Sequence, residues 1–261
     1  MYAWLHLAKK EWRLGLPAFI MPILVFIIIS SIAVFIGSRY GFGIETLIGL
    51  SLLATGTQVF YLAYYLFYSL LTERKKLHLW LHNPMSGVSL VLAKISAGLV
   101  SHLPTLLLTT TVLLVSLHFS QLDSLLTMST IYSVISFIIL HIFLLSIQVG
   151  VCLLLFFVIY LVLSKYFHSF ISFLLTLILV AVSAGLYGWF TVTIYDSITS
   201  WGEIPLPLLT DISILATPEG SSVHVGAEDT SIFIGTYFFE TIFTLAIFFG
   251  ACWMLDHKVE V

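Results

Sequence analysis

Residues 73–94 read ERKKLHLWLHNPMSGVSLVLAK and hold four of the chain's ten Lys and Arg residues: Arg74, Lys75, Lys76 and Lys94. Long apolar runs flank the segment on both sides. Basic residues close to membrane-spanning segments favour the cytoplasmic face, so the stretch reads as a cytoplasmic connection between two spanning helices. Leu77, Trp80 and Leu81 share one side of a short helix that ends before Pro84. Proline lacks a backbone donor and disfavours helix at the preceding Asn83. Such a helix is either an interfacial anchor, held by Trp80 and lipid phosphates, or a surface for a cytoplasmic partner.

The composition agrees with a membrane chain. Of 261 residues, 60% are apolar and 9% charged, with a mean hydropathy of +1.10. Soluble domains carry about 25% charged residues, so residues 1–261 are expected to form a single transmembrane domain with no second, water-soluble one. A net charge of -3 says little about partners, and no nucleic acid is expected among them. Cys152 and Cys252 lie in apolar runs and read as packing, not as a disulfide or metal site. A cleavable signal peptide is not expected, because an amphipathic segment precedes the first long apolar run.

In chain order, residues 1–16 are amphipathic. His6, Lys9, Lys10 and Arg13 follow one helical face, and Trp4, Leu5, Ala8 and Trp12 another, so this helix should lie flat on the cytoplasmic leaflet. Pro17 and Pro22 bracket the turn into a first span over 18–37, which ends at an outer turn containing Arg39, Tyr40, Gly41 and Gly43. A second apolar run, 44–71, is longer than the bilayer's hydrocarbon layer of about 30 Å and must tilt or protrude. Gln58, Tyr61, Tyr65 and Tyr68 recur along it at helical spacing. Gln58, Tyr61 and Tyr65 lie too deep to be interface anchors. They read either as interhelical hydrogen-bonding groups or as a polar stripe on a substrate pathway.

The third helix is expected over 88–118, kinked at Pro104, and the fourth over 126–163, bent near Gly150. SKYFHS (164–169) turns inside, and the fifth helix covers 170–194. Residues 195–230 contain six acids and no Lys or Arg, which marks an outer loop. Within it, PLPLLTDISILA is apolar enough to dip into the interface as a short helix. A sixth helix, 232–255, leads to a cytoplasmic tail, DHKVEV. Nine of the ten basic residues then lie inside and only Arg39 outside, which supports six spans with both termini in the cytoplasm.

The chain lacks a GxxxxGK[ST] nucleotide loop. His78 and His82 are four apart, but HLWLH lacks the glutamate of HExxH. Glu240 lies about eight residues, roughly 12 Å, below the outer end of the sixth span, where an ionised carboxylate is costly unless paired or hydrated. It reads as a neutral hydrogen-bonded carboxyl between helices or as the coupling group of an ion- or proton-coupled carrier. An intramembrane protease would recruit His102 or His141 as a base, but no GxSx-type nucleophile turn opposes them.

The N-terminal LAKKEWRLGLPAFIMPIL, with its Lys10–Glu11 pair in a basic interfacial helix, resembles the opening of type-2 ABC transporter permeases. In that family, a glutamate and basic residues end the second helix, and a leucine-rich segment, a proline and a lysine opening the third helix follow. Glu73, Arg74, Leu79, Leu81, Pro84, Ser86 and Lys94 stand in those places. The family's Gly-Thr pair after the basic cluster is missing, so the glutamate-to-proline spacing is about two residues short.

The resemblance implies an all-α, six-helix exporter domain with an N-terminal interfacial helix and both termini cytoplasmic, in a bacterial cytoplasmic membrane. It implies a permease subunit that is not itself an enzyme and binds no cofactor. Two permease chains, identical or related, would carry two cytoplasmic ATPase subunits holding ATP and Mg. On this reading residues 72–88 are the coupling loop, with Glu73, Arg74, Leu77, Trp80, Leu81 and Pro84 meeting the ATPase. Gln58, Tyr61, Tyr65 and Glu240 would line the pathway. Aromatic residues and few intramembrane charges suit an amphipathic or hydrophobic cargo, such as a peptide, a drug or a lipid-like molecule.

Overall fold

A computed structural model describes residues 2–74, 85–120, 128–206, 211–217, 220–226 and 230–259, with side chains for 4–72, 85–120, 132–204 and 231–259. Six helices among them are long and apolar enough to cross a membrane. By helix length and hydropathy the chain is a multi-pass membrane protein, and its membrane part is all-α. Helix α1 (Tyr2–Leu14) leads through Gly15 into α2 (Leu16–Arg39), the first long span. A Cβ at Gly15 would overlap the Tyr65 ring, so the join needs a residue without one. Pro17 sits in the first turn of α2, where its missing donor costs nothing. Pro22 lies inside α2, not at its entry. At the far end of α2, Gly41 adopts a left-handed φ of +83° in the turn to the next helix, a conformation that side chains disfavour.

The second span differs from the continuous helix expected over 44–71. It consists of α3 (Gly43–Thr57), a tight 3-10 turn (Gln58–Phe60) and α4 (Tyr61–Arg74). Broken backbone at membrane depth is tolerated where protein or a cavity surrounds it, and Gln58 is buried against Thr105. Helix α5 (Gly87–Phe119) carries Pro104 inside it, and α6 (Met128–Tyr166) runs unbroken through Gly150. Gly150 serves contact: a Cβ there would run into Leu62, and one at Gly98 of α5 into Leu62 and Tyr65. Small residues let helix backbones approach in membranes. Helix α4 uses both gaps to bury Leu62, Leu66 and Leu70 against Val91, Ile95, Val151, Leu154 and Val158. The Leu62 amide also donates to the Ser146 hydroxyl at 3.2 Å.

Helix α7 (Ser169–Phe190) packs on α6 and continues through a π-helical turn (Thr191–Tyr195) into the short α8 (Asp196–Thr199). The connection expected to be an outer loop then departs from expectation in its structure. Strands β1 (Glu203–Leu206) and β4 (Thr230–Phe233) pair antiparallel, with Glu203 opposite Phe233. Strands β2 (Asp211–Thr217) and β3 (Gly220–Gly226) form a second antiparallel ribbon, with Thr217 opposite Gly220. DISILA is therefore strand, not interfacial helix. Ile212 and Ile214 alternate with polar residues across from Val223 and Val225, and β-branched alternation favours extended pairing.

The last helix, α9 (Ile234–Met254), continues as a π-helical turn over Leu255–Val259. The tail DHKVEV is thus helical and docked as far as Val259. Leu255 and Val259 are buried in the core, as is Cys252. The Asp256 carboxylate accepts from the Gly87 amide at 3.0 Å, at the N-terminus of α5, and Lys165 Nζ donates to the Lys258 carbonyl at 2.6 Å. A carboxylate suits the partial positive charge of a helix N-terminus. Helix α1, the start of α5, the end of α6 and the C-terminal turn therefore gather at one end of the bundle, the basic end. The β-ribbons lie in the connection at the other, acidic end.

Candidate functional site

Two polar assemblies interrupt the apolar bundle. The first lies in its acidic half, between α6, α7 and α9. Glu240, on α9, is held from both sides: Oε1 accepts from the Tyr187 hydroxyl at 2.8 Å and the Tyr195 hydroxyl at 2.9 Å, and Oε2 accepts from Gln148 Nε2. The π-helical turn after α7 brings Tyr195 to the same oxygen as Tyr187, eight residues earlier. Beside them the Tyr237 hydroxyl meets His141 Nε2, while His141 Nδ1 faces the Phe137 carbonyl at 2.9 Å. These groups line a cavity of about 660 Å3, walled elsewhere by Leu144, Leu145, Ile147, Phe233 and Leu245.

The second assembly lies at the basic end and holds charge in a dry setting. Glu11 of α1 is 1% exposed and Lys94 of α5 is 0% exposed. Lys94 Nζ donates to Glu11 Oε2 at 2.7 Å and to the Ser69 hydroxyl at 2.9 Å, and Ser69 in turn reaches Glu11 Oε2 at 3.2 Å. Glu11 Oε1 is buried and has no hydrogen-bond partner among the described residues; it lies 3.9 Å from the half-exposed Lys10 ammonium. Tyr65 donates from α4 to the Glu11 carbonyl at 3.0 Å, and Trp4 Nε1 donates to the Ser89 carbonyl at 3.2 Å. Helix α1 therefore lies along the first turns of α5. Its exposed face carries His6, Lys9, Lys10 and Arg13, as the sequence pattern predicts. Lys94, counted in the sequence with the basic connection, is buried inside α5.

No family model, curated protein or solved structure matches this chain. The two assemblies are therefore read from their own chemistry.

The residues expected on a pathway fall into separate places. Glu240 lines the 660 Å3 cavity. Gln58 lines a different one, of about 260 Å3, between α2, α3 and α5, where its side-chain oxygen accepts from the Thr105 hydroxyl at 3.3 Å. Tyr61 and Tyr65 line neither and are buried with Ala18 and Ala97. Tyr61 stacks on His102, which in turn stacks on Phe143, with ring centroids 5.0 and 5.6 Å apart. Among the described residues, the His102 ring nitrogens have no hydrogen-bond partner.

Of the expected coupling residues, Glu73 and Arg74 fall in the last turn of α4, and their side chains lie outside the described residues. Leu77, Trp80, Leu81 and Pro84 lie outside them altogether, as do His78 and His82. Among the described residues, no group of three His, Cys, Asp or Glu could hold a metal.

Sequence reasoning missed Ser69, Tyr187, Tyr195 and Tyr237. It also missed the meeting of Glu11 with Lys94. One signal was available: with Trp4, Ala8 and Trp12, Glu11 sits on the apolar stripe of α1, where a lone carboxylate needs a buried partner.

Proposed function

We propose that the chain is the membrane-spanning permease subunit of an ATP-driven exporter of the type-2 ABC class. Two permease chains would work with two cytoplasmic ATPase subunits that hold ATP and Mg. The cargo would be amphipathic or hydrophobic and would move outward across a bacterial cytoplasmic membrane. The observation that carries this reading is the Glu11–Lys94–Ser69 triangle at the basic end. It ties α1, α4 and α5 together beside the points where the 75–84 connection leaves α4 and re-enters at Met85. A partner pressing on that connection would act on three helices at once, and α4, wedged between α5 and α6, would carry the displacement into the bilayer.

Glu240 favours one alternative, an ion- or proton-coupled carrier, because a carboxylate facing a cavity is where a coupling ion would exchange. An intramembrane protease has no comparable feature in its favour.

The test is to co-express the chain with the ATPase encoded nearest to it and to measure ATPase retained per unit of purified permease. Trp80→Ala should lower that ratio, or leave the ATPase bound but unstimulated by cargo, with membrane insertion normal. An aromatic at the centre of an interface contributes about 2 kcal/mol or more, whereas a rim charge contributes little. Lys75→Ala should therefore have a much smaller effect. A ratio that stays constant across these variants would remove the coupling role of 72–88 and leave an interfacial anchor.

A further inference from the structure

We infer that the acidic-half cavity binds an amphipathic organic cation, with Glu240 as counter-charge to its ammonium or phosphonium head and the apolar walls receiving its body. The carboxylate meets three neutral donors, Tyr187, Tyr195 and Gln148. Such donors solvate an anion without cancelling its charge. None of the residues lining the cavity is Lys or Arg. His141, also in the lining, turns its ring nitrogens to the Phe137 carbonyl and the Tyr237 hydroxyl, not to the Glu240 carboxylate. Among the described residues, no Lys or Arg faces a Glu240 carboxylate across this cavity, and uncompensated charge in a membrane is costly.

The walls decide which kind of cation fits. A small hard ion prefers six or so oxygen ligands, but here there is one carboxylate, already hydrogen-bonded at both oxygens. The hydroxyls of Ser231, Thr236, Thr241 and Thr244 are neutral, and most of the remaining surface is apolar, from Leu144, Leu145, Ile147 and Leu245 with the rings of Phe233 and Tyr237. Aromatic faces attract diffuse cations, and about 660 Å3 lies within the range of about 300–1,000 Å3 typical of sites for drug-sized molecules. Leu144, Leu145 and Leu245, which line the cavity, are also exposed, so an apolar tail would have a way out toward lipid. The outer loop adds six acids and no basic residue near this end, which raises the local concentration of cations.

The binding assignment stands on this cavity alone; calling the ligand a cargo rests on the exporter reading above. The experiment uses the full chain in phosphatidylcholine nanodiscs without an ATPase. Binding of tritiated tetraphenylphosphonium is measured by equilibrium dialysis against empty discs. Saturable binding is expected, weakened by roughly thirtyfold or more in Glu240→Gln, as for loss of one partner of a desolvated ion pair. Leu145→Trp, which fills the cavity mouth from an exposed position, should weaken it as well. Neutral triphenylphosphine oxide should not compete.

The inference is overturned by an absence of saturable binding, by unchanged affinity in folded Glu240→Gln, or by competition from the neutral analogue equal to that of unlabelled cation. Displacement by millimolar sodium would overturn it in favour of an inorganic-ion site. Should Glu240→Gln fail to fold, unchanged binding to Leu145→Trp overturns it instead. Loss of this inference leaves the ATPase ratio of the Trp80 experiment untouched, and a constant ratio there leaves the binding result standing.

Discussion

Lys94→Met should loosen the basic end of the molecule without unfolding the rest of it. Methionine keeps most of the length and apolar bulk of the lysine stem. The substitution removes two hydrogen bonds from an ammonium, at 2.7 Å to Glu11 and 2.9 Å to Ser69. Hydrogen bonds to charged groups contribute about 1.5–3 kcal/mol each, and removing one partner of a buried pair costs about 3–5 kcal/mol because the other charge stays behind. The Glu11 carboxylate would keep only the Ser69 hydroxyl and the Lys10 ammonium at 3.9 Å, so a loss of about 3–4 kcal/mol is expected.

Adding Glu11→Gln removes the stranded charge. The double variant should recover about 2 kcal/mol or more of that loss, since a buried pair replaced by neutral groups is often no less stable. Reversible unfolding in mixed detergent and sodium dodecyl sulfate micelles measures these differences. The labelling rate of a cysteine introduced at Ser89, where Trp4 now donates to the backbone carbonyl, reports release of α1 directly. Strictly additive effects of the two substitutions, or a loss below about 1 kcal/mol in Lys94→Met, would mean that the triangle clamps nothing.

Cysteines introduced at Ser86 and Ser221 should be modified from opposite faces of the membrane by an impermeant reagent, and labelling of both from outside intact cells would overturn the orientation. Gly150→Leu should destabilise the fold by about 1–3 kcal/mol, the usual cost of overpacking, because a Cβ there already overlaps Leu62; Gly250→Leu, where nothing lies within 4 Å of the added Cβ, should be neutral in the same thermal assay. If Gln58 faces a pathway, Gln58→Leu should change which compounds stimulate the partner's ATP hydrolysis while assembly stays intact, and reduced assembly with an unchanged response would assign Gln58 to packing.

The six spans were legible because length and apolarity are local properties, readable one segment at a time. What joins the spans is not local. Glu11 and Lys94 are 83 residues apart, and no pattern within either helix names the other. The meeting of Glu240 with Gln148, 92 residues apart, is equally non-local. Helix α6 is 39 residues long, about 58 Å at 1.5 Å per residue. It therefore overshoots the bilayer, and a distance counted from its start says little about the level of Gln148. The outer loop was misread for a different reason. DISILA is apolar and short, which fits an interfacial helix or a strand equally well, and only its partner GSSVHVG decides between them. The break in the second span gave no warning either, because Thr57 and Gln58 are ordinary residues within an apolar run.

That break gives the second span a joint near its middle. Both halves lean on α5, but α3 also leans on α2, whereas α4 leans on α6 and is tied to the α1 clamp, so the halves answer in part to different neighbours. Three 3-10 residues advance about 6 Å and turn through about 360°, against about 4.5 Å and 300° for three α residues. Returning Gln58–Phe60 to α geometry would shorten the span by about 1.5 Å and swivel α3 against α4 by about 60°. A stroke delivered at the basic end would then be taken up as rotation beside Gln58, resizing the small cavity there before it reached the acidic end.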